Sequence, residues 1–202
     1  MEQTLYALQK IIPTACWILV GAGVVLLTIM TVRSMNKDYA RIAADLGGEV
    51  VNRFFVAHHV RLLNHGFEAR IEMLFGGNRN NPPLLVIRQK TDLDFSLSIA
   101  REGRSSRALK KAGLLKEVVV GEPEFDRKYL IKSSAAEAAA RFLSSPERRR
   151  LVDEFFGQEF NLIAVSEKQL SVEKPNYHDR DLDAENLKKY LEQIFRFIEG
   201  AA

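Results

Sequence analysis

Between Lys10 and Arg33 the chain carries no charged residue, and within that gap Ile11 to Val32 runs for 22 residues. As a helix this stretch reaches about 33 Å, enough to cross the hydrocarbon core of a bilayer. A buried helix of a water-soluble domain keeps a polar side, whereas Ile18 to Met30 offers only Gly21, Gly23 and Thr28. Residues 11–32 therefore read as a transmembrane helix. Pro13 falls in its first turn, where a missing N–H costs little, and Trp17 lies near the same end, suited to the interface.

The run is longer than a signal-peptide core and no small-x-small cleavage site follows it, so it reads as a retained anchor. Cys16 precedes the apolar run instead of following it, the wrong order for a lipoprotein site. Lys10 stands alone before the span, while Arg33, Lys37 and Arg41 follow it. Positive charge stays inside, which places the large domain in the cytoplasm.

The remaining sequence is long enough for one domain with a real core and too short for two ordinary ones. The chain is expected to consist of an N-terminal tail (1–10), the span (11–32), a juxtamembrane helix (33–48) and one soluble α+β domain (49–202). Its net charge of +3 gives no electrostatic footprint for nucleic acid, which is not expected as a partner. A single cysteine excludes an internal disulfide and a Cys-rich metal site.

Met35, Tyr39, Ile42, Ala43 and Leu46 recur at helical spacing, and Gly47-Gly48 ends that helix. Val50 to Leu63 fits neither period cleanly and reads as helix passing into strand. Phe67 to Met73 alternates as a half-buried strand, Gly76 to Pro83 is a loop, and Leu84–Gln89 and Leu93–Ile99 read as strands of a meander. Further strands are expected at Leu115–Val120 and Lys128–Lys132. Ser134 to Glu137 has the form of a capping box opening a helix to Leu143, and Ser145-Pro146-Glu147 restarts a helix to about Phe156. Asn161–Val165 and Gln169–Glu173 form a hairpin around Ser166-Glu167-Lys168. A last helix, Asp183 to Glu199, puts Leu187, Tyr190, Leu191, Ile194, Phe195 and Ile198 on one face. Adjacent strands followed by segregated helices indicate a mostly antiparallel sheet packed by helices.

No nucleophile elbow, phosphate-binding glycine loop, H-E-x-x-H or dinucleotide fingerprint occurs, so catalytic and cofactor assignments find no motif to rest on. His58 and His59 are adjacent, so on a strand they face opposite ways and cannot join His65 in one metal site. Asp179 to Asp183 opens like a calcium loop, but Ala184 replaces the required glycine and Tyr190 the bidentate acid. Helix capping by Asp183 explains the same residues. No metal or cofactor is expected. Glu122, Asp126 and His65 are the candidates if the protein is a membrane-associated enzyme, although Glu122, Glu124 and Asp126 read first as residues of a turn around Pro123.

Two features remain. Arg101, Arg104, Arg107, Lys110 and Lys111 form a basic stretch with Glu102 as its single acid, suited to a partner or to anionic lipid at the membrane surface. Gly121-Glu122-Pro123-Glu124-Phe125-Asp126-Arg127-Lys128-Tyr129, followed by Ala138 to Leu143 and Ser145-Pro146, resembles a segment that recurs in uncharacterised bacterial membrane-anchored proteins. There a G-[DE]-P-x-F-D-x-x-[FY] turn and strand precede a helix start. The resemblance spans about Val118 to Leu170, with Leu46-Gly47-Gly48 also similar, and it implies a bacterial single-pass protein while transferring no catalytic residue. Within the motif Phe125 and Tyr129 can anchor the turn to the core while Asp126 accepts backbone N–H groups, a structural role. The expected function is a membrane-anchored, non-catalytic domain that binds a protein partner or a second copy; a lipid-headgroup or small-ligand sensor is the alternative.

Overall fold

The computed structural model describes residues 20–26, 30, 33, 34, 36–53, 56–74, 76, 82–103 and 117–199. The chain divides into two compact units, Met1–Arg41 and Ile42–Ala202. In the first, residues 20–26, 30, 33, 34 and 36–41 are helical. Among the described residues no helix is long and apolar enough to cross a membrane, and most of the expected span, like the N-terminal tail, lies outside them.

In the second unit helical residues continue to Leu46, and Gly47 closes the helix at φ +67°, a conformation glycine adopts without the cost a Cβ imposes. Eight strands follow among the described residues: β1 (Glu49–Arg53), β2 (Val56–Asn64), β3 (Phe67–Leu74), β4 (Leu84–Lys90), β5 (Leu97–Arg101), β6 (Tyr129–Ser133), β7 (Leu162–Ser166) and β8 (Gln169–Pro175). They form one sheet in the order β1-β2-β3-β4-β8-β7-β5-β6, antiparallel throughout. After β1, the helices among the described residues are α1 (Pro123–Lys128), α2 (Ala136–Leu143), α3 (Pro146–Gly157) and α4 (Ala184–Ile198), with a 3-10 turn at Asp179–Leu182. The domain is α+β, with helices on an antiparallel sheet, as the sequence predicts.

Register explains the core. Val60, Ile71, Ile87, Val172, Ile163, Ile99 and Ile131 stand opposite one another across seven strands, and each is at most 1% exposed. β-branched side chains suit such a pleated, fully covered row. The helices cover this face: Asn64 donates to the Leu191 carbonyl of α4 at 2.9 Å, and Tyr129 meets Phe156 of α3 at 4.8 Å between ring centroids. On the opposite face Arg61, Arg70 and Arg88 line up on neighbouring strands. Each has its own carboxylate, from Glu49, Glu68 and Glu72 respectively, which offsets the repulsion of like charges placed side by side.

Two tight turns set this register. His65-Gly66 joins β2 to β3 and Glu167-Lys168 joins β7 to β8, all four residues at positive φ, as in the two-residue turns whose twist matches that of the strands. α4 buries Leu187, Tyr190, Leu191, Ile194, Phe197 and Ile198 and exposes Glu185, Lys188, Lys189, Glu192 and Arg196. Phe195, expected inside, is only partly covered and stacks on His65 at 3.9 Å.

Several expectations need correction. Within Val50 to Leu63, residues 50–53 and 56–63 are strand and not helix, because β1 and β2 pair as a hairpin whose mixed polarity reflects its two faces; Phe54 and Phe55 lie outside the described residues. β5 starts at Leu97 instead of Leu93, since Thr91 to Ser96 make an irregular connection in which the Leu93 N–H bonds the Thr91 hydroxyl. The meander ends at β4, whose next neighbour is β8. Glu117 to Val120 is irregular, tied to β6 by the Val118 N–H on the Ile131 carbonyl at 2.9 Å. The capping box does not form: Ala135 is the N-cap, and the Ser134 hydroxyl accepts the Ser96 N–H at 3.0 Å. Asp183 sits at the N-cap of α4 without a side-chain cap bond.

Candidate functional site

The G-x-P-x-F-D-x-x-Y segment that the sequence singled out lines a polar cleft. Pro123 opens α1 where a turn was expected, its fixed φ suiting the first helical position and its missing N–H costing nothing there. Gly121, at φ +93°, takes the reversal before it. Asp126 then reaches back, accepting the Val120 N–H on Oδ1 and the Gly121 N–H on Oδ2, both at 3.0 Å. Phe125 is buried against Tyr129, 4.9 Å between ring centroids, and Tyr129 leads into β6.

Tyr129 is held from three sides. Its ring lies between Phe125 and Phe156, and its hydroxyl donates to Asp153 Oδ1 at 2.7 Å. Burial, and then the bond to the Asp153 carboxylate, push this phenol well above its ordinary range. Lys128 Nζ reaches the same Asp153 oxygen at 3.2 Å. Arg101, the last residue of β5, donates from Nη2 to the Phe156 carbonyl at 2.5 Å, meeting the C-terminal end of α3 with positive charge. Arg127 donates from Nε to the Pro123 carbonyl at 3.3 Å. Between these groups opens a cleft of about 470 Å³, lined by Arg101, Glu102, Arg127, Lys128, Tyr129 and Asp153.

Arg101 is thus the member of the basic stretch that the structure places; Arg104, Arg107, Lys110 and Lys111 lie outside the described residues. The three candidate catalytic residues are not brought together as a set. Glu122 pairs with Arg149 at 3.1 Å, Asp126 is committed to two backbone N–H groups, and His65, in the β2–β3 turn, pairs with Glu192 of α4 at 2.8 Å. Among the described residues no group of three metal-binding side chains occurs.

A second polar cluster escaped the sequence. Lys174 of β8 and Asp181 of the 3-10 turn, each 3% exposed, form an ion pair at 2.7 Å. Asp181 Oδ1 also accepts the Tyr190 hydroxyl at 3.1 Å, and Oδ2 accepts the His178 N–H at 2.8 Å. Burial works to raise the Asp181 pKa, but the His178 N–H, then Lys174, then Tyr190 outweigh it, and the carboxyl lies below its ordinary value. Burial, and then Asp181, raise Tyr190. The available signal was periodicity: Leu170, Val172 and Lys174 alternate onto one face of β8, so a lysine in that row demands a nearby carboxylate.

No family model matches the chain, and no curated protein matches it. Among solved structures it is similar to the crystal structure of the mycobacterial trehalose monomycolate transport factor A, TtfA, with 11% identity and a TM-score of 0.55, covering 83% of this chain and 96% of that one. At that identity the likeness is one of fold.

Proposed function

We propose that the chain is a single-pass protein of a bacterial inner membrane, anchored by residues 11–32, whose cytoplasmic α+β domain holds a protein partner or a second copy and performs no catalysis. The observation that carries the non-catalytic reading is the commitment of the candidate groups. Asp126 spends both oxygens on backbone N–H groups, Glu122 pairs with Arg149, and His65 pairs with Glu192. A general base or acid needs a reactive atom free to meet substrate, whereas each of these is engaged by another group of the protein. Supporting the anchor, the described residues within the charge-free stretch are helical, and Val20, Val24, Val25, Leu26 and Met30 are each more than half exposed. Apolar side chains turned outward on a helix suit lipid.

Native mass spectrometry of the full chain, purified in mild detergent at low salt, tests the interaction reading. A stoichiometric companion or a defined homo-oligomer is expected; a bare monomer that turns over a substrate would sink the proposal. Orientation is tested separately with a Cys16→Ser, Asn80→Cys variant treated with an impermeant thiol reagent. Labelling only after lysis is expected, and labelling of intact cells would place the domain outside.

A further inference from the structure

We infer that the cleft between β5, α1 and α3 is a binding site for a phosphate ester, with Arg127, Lys128 and Arg101 as its cationic groups. This goes beyond the proposed interaction role and does not depend on the anchor. Three cations line the cleft against two carboxylates, Glu102 and Asp153. Asp153 is already met by Lys128 and by the Tyr129 hydroxyl, so its charge is compensated within the fold. The contacts made by Arg101 and Arg127 go to neutral carbonyls of Phe156 and Pro123, which fix the guanidinium groups without neutralising them. With Glu102 counted against them, the cleft keeps a net charge of +1, presented by two oriented guanidinium groups.

Guanidinium matches the oxygens of a phosphate with paired N–H bonds, a geometry that an ammonium cannot offer. The volume, about 470 Å³, admits a small phosphorylated polyol or a lipid headgroup. Tyr129 supplies a rigid wall, and its hydroxyl is not available to the ligand because Asp153 holds it. Arg127 and Lys128 are exposed on the last turn of α1, so replacing them leaves the buried side of the motif untouched.

The test is isothermal titration calorimetry on the full chain in a neutral detergent, with glycerol 3-phosphate as the free ester and dihexanoyl phosphatidylglycerol as the headgroup probe. Binding of either supports the site, and which one binds tells a soluble ligand from a lipid. Arg127→Glu should weaken binding at least about tenfold, the loss expected when one charge-assisted contact goes. Lys128→Gln should weaken it less, because Lys128 is shared with Asp153. Raising the salt should also lower the affinity, since the cleft is open to solvent. No heat of binding with either probe up to about 10 mM, which corresponds to roughly 3 kcal/mol of affinity, would overturn the inference. So would an unchanged affinity in both variants, or equally tight binding of glycerate, which carries a carboxylate in place of phosphate.

Discussion

Replacing Lys174 by Met removes one partner of a pair in which both side chains are 4% exposed. The substitution nearly conserves volume, so the loss is electrostatic: Asp181 stays buried without its cation. Breaking such a pair from one side costs about 3–5 kcal/mol, because the remaining charge keeps its desolvation penalty. Two donors stay on Asp181, the Tyr190 hydroxyl and the His178 N–H, which puts the expected loss near the lower bound, about 3 kcal/mol. With a urea dependence of about 1–3 kcal/mol per molar, the unfolding midpoint should fall by about 1–3 M. The assay is urea unfolding of the full chain in detergent, followed by far-ultraviolet circular dichroism. A double variant, Lys174→Met with Asp181→Asn, removes both charges and leaves about one imperfect hydrogen bond, so its loss should be only about 1–2 kcal/mol, well under the sum of the single losses. Acid provides an independent check. The Asp181 carboxyl lies below its ordinary value, so its share of the stability is fully present above the unfolded pKa near 4 and is lost as pH falls through the folded value. The gap between wild type and Lys174→Met should therefore close as pH drops below about 4. Additive losses in the double variant, or a single loss under about 1 kcal/mol, would refute the idea that the pair is a closed, water-poor unit.

Other sites give sharp expectations. Arg148 donates to the carbonyls of Phe142, Phe197 and Glu199 and lies 4.1 Å from the Phe142 ring centroid; Arg148→Ala should cost about 2–3 kcal/mol in the same urea assay, and Arg148→Lys should recover little because an ammonium cannot span the three carbonyls. Gly48→Ala would set a Cβ 2.7 Å from the Arg61 carbonyl oxygen, a backbone atom locked in β2, and should lower stability by about 1–3 kcal/mol on thermal unfolding. Asp126→Ala strands the Val120 and Gly121 N–H groups and should cost about 1–3 kcal/mol, with increased amide exchange at those two positions as the local signature. Glu68 is held down to about 2, first by Lys90 and then by Arg70, so its contribution is present above the ordinary carboxylate pKa and fades as pH falls toward 2; Glu68→Gln should flatten that acid limb of the stability curve.

Locally encoded parts of the fold were legible in the sequence. β3 and the β7–β8 hairpin announce themselves by alternation, and α4 by its 3.6-residue stripe, because each shows one face to the core and one to water. The β1–β2 hairpin was obscured because its outward row carries both Arg61 and the exposed Leu63, which blurs the alternation. The pairing of β4 with β8 and of β5 with β7 joins segments about sixty to ninety residues apart, and a strand's own sequence does not name its neighbour. The site follows the same division. The roles of Phe125, Tyr129 and Asp126 follow from their types within a nine-residue segment. Asp153 and Phe156, which complete the cleft, come from α3 and enter only when the chain has folded back on itself.

The motif itself separates by what its side chains touch. Gly121 supplies a positive φ, Pro123 the first helical position, Phe125 and Tyr129 the aromatic contact, and Asp126 the two N–H bonds that hold the reversal. Remove any of these and the edge strand β6 loses its lead-in. Arg127 and Lys128 do none of this work; they fall on the solvent side of α1 simply because a helix of that phase turns Phe125 inward. Their identity is thus free to be set by what enters the cleft. A fold-only account of the segment predicts that Arg127→Glu and Asp126→Ala differ in stability alone, the first near neutral and the second costly. The ligand account adds a reversal: Arg127→Glu, the harmless change for folding, should be the damaging one for phosphate binding, and it is that crossing of the two effects which separates a site from a brace.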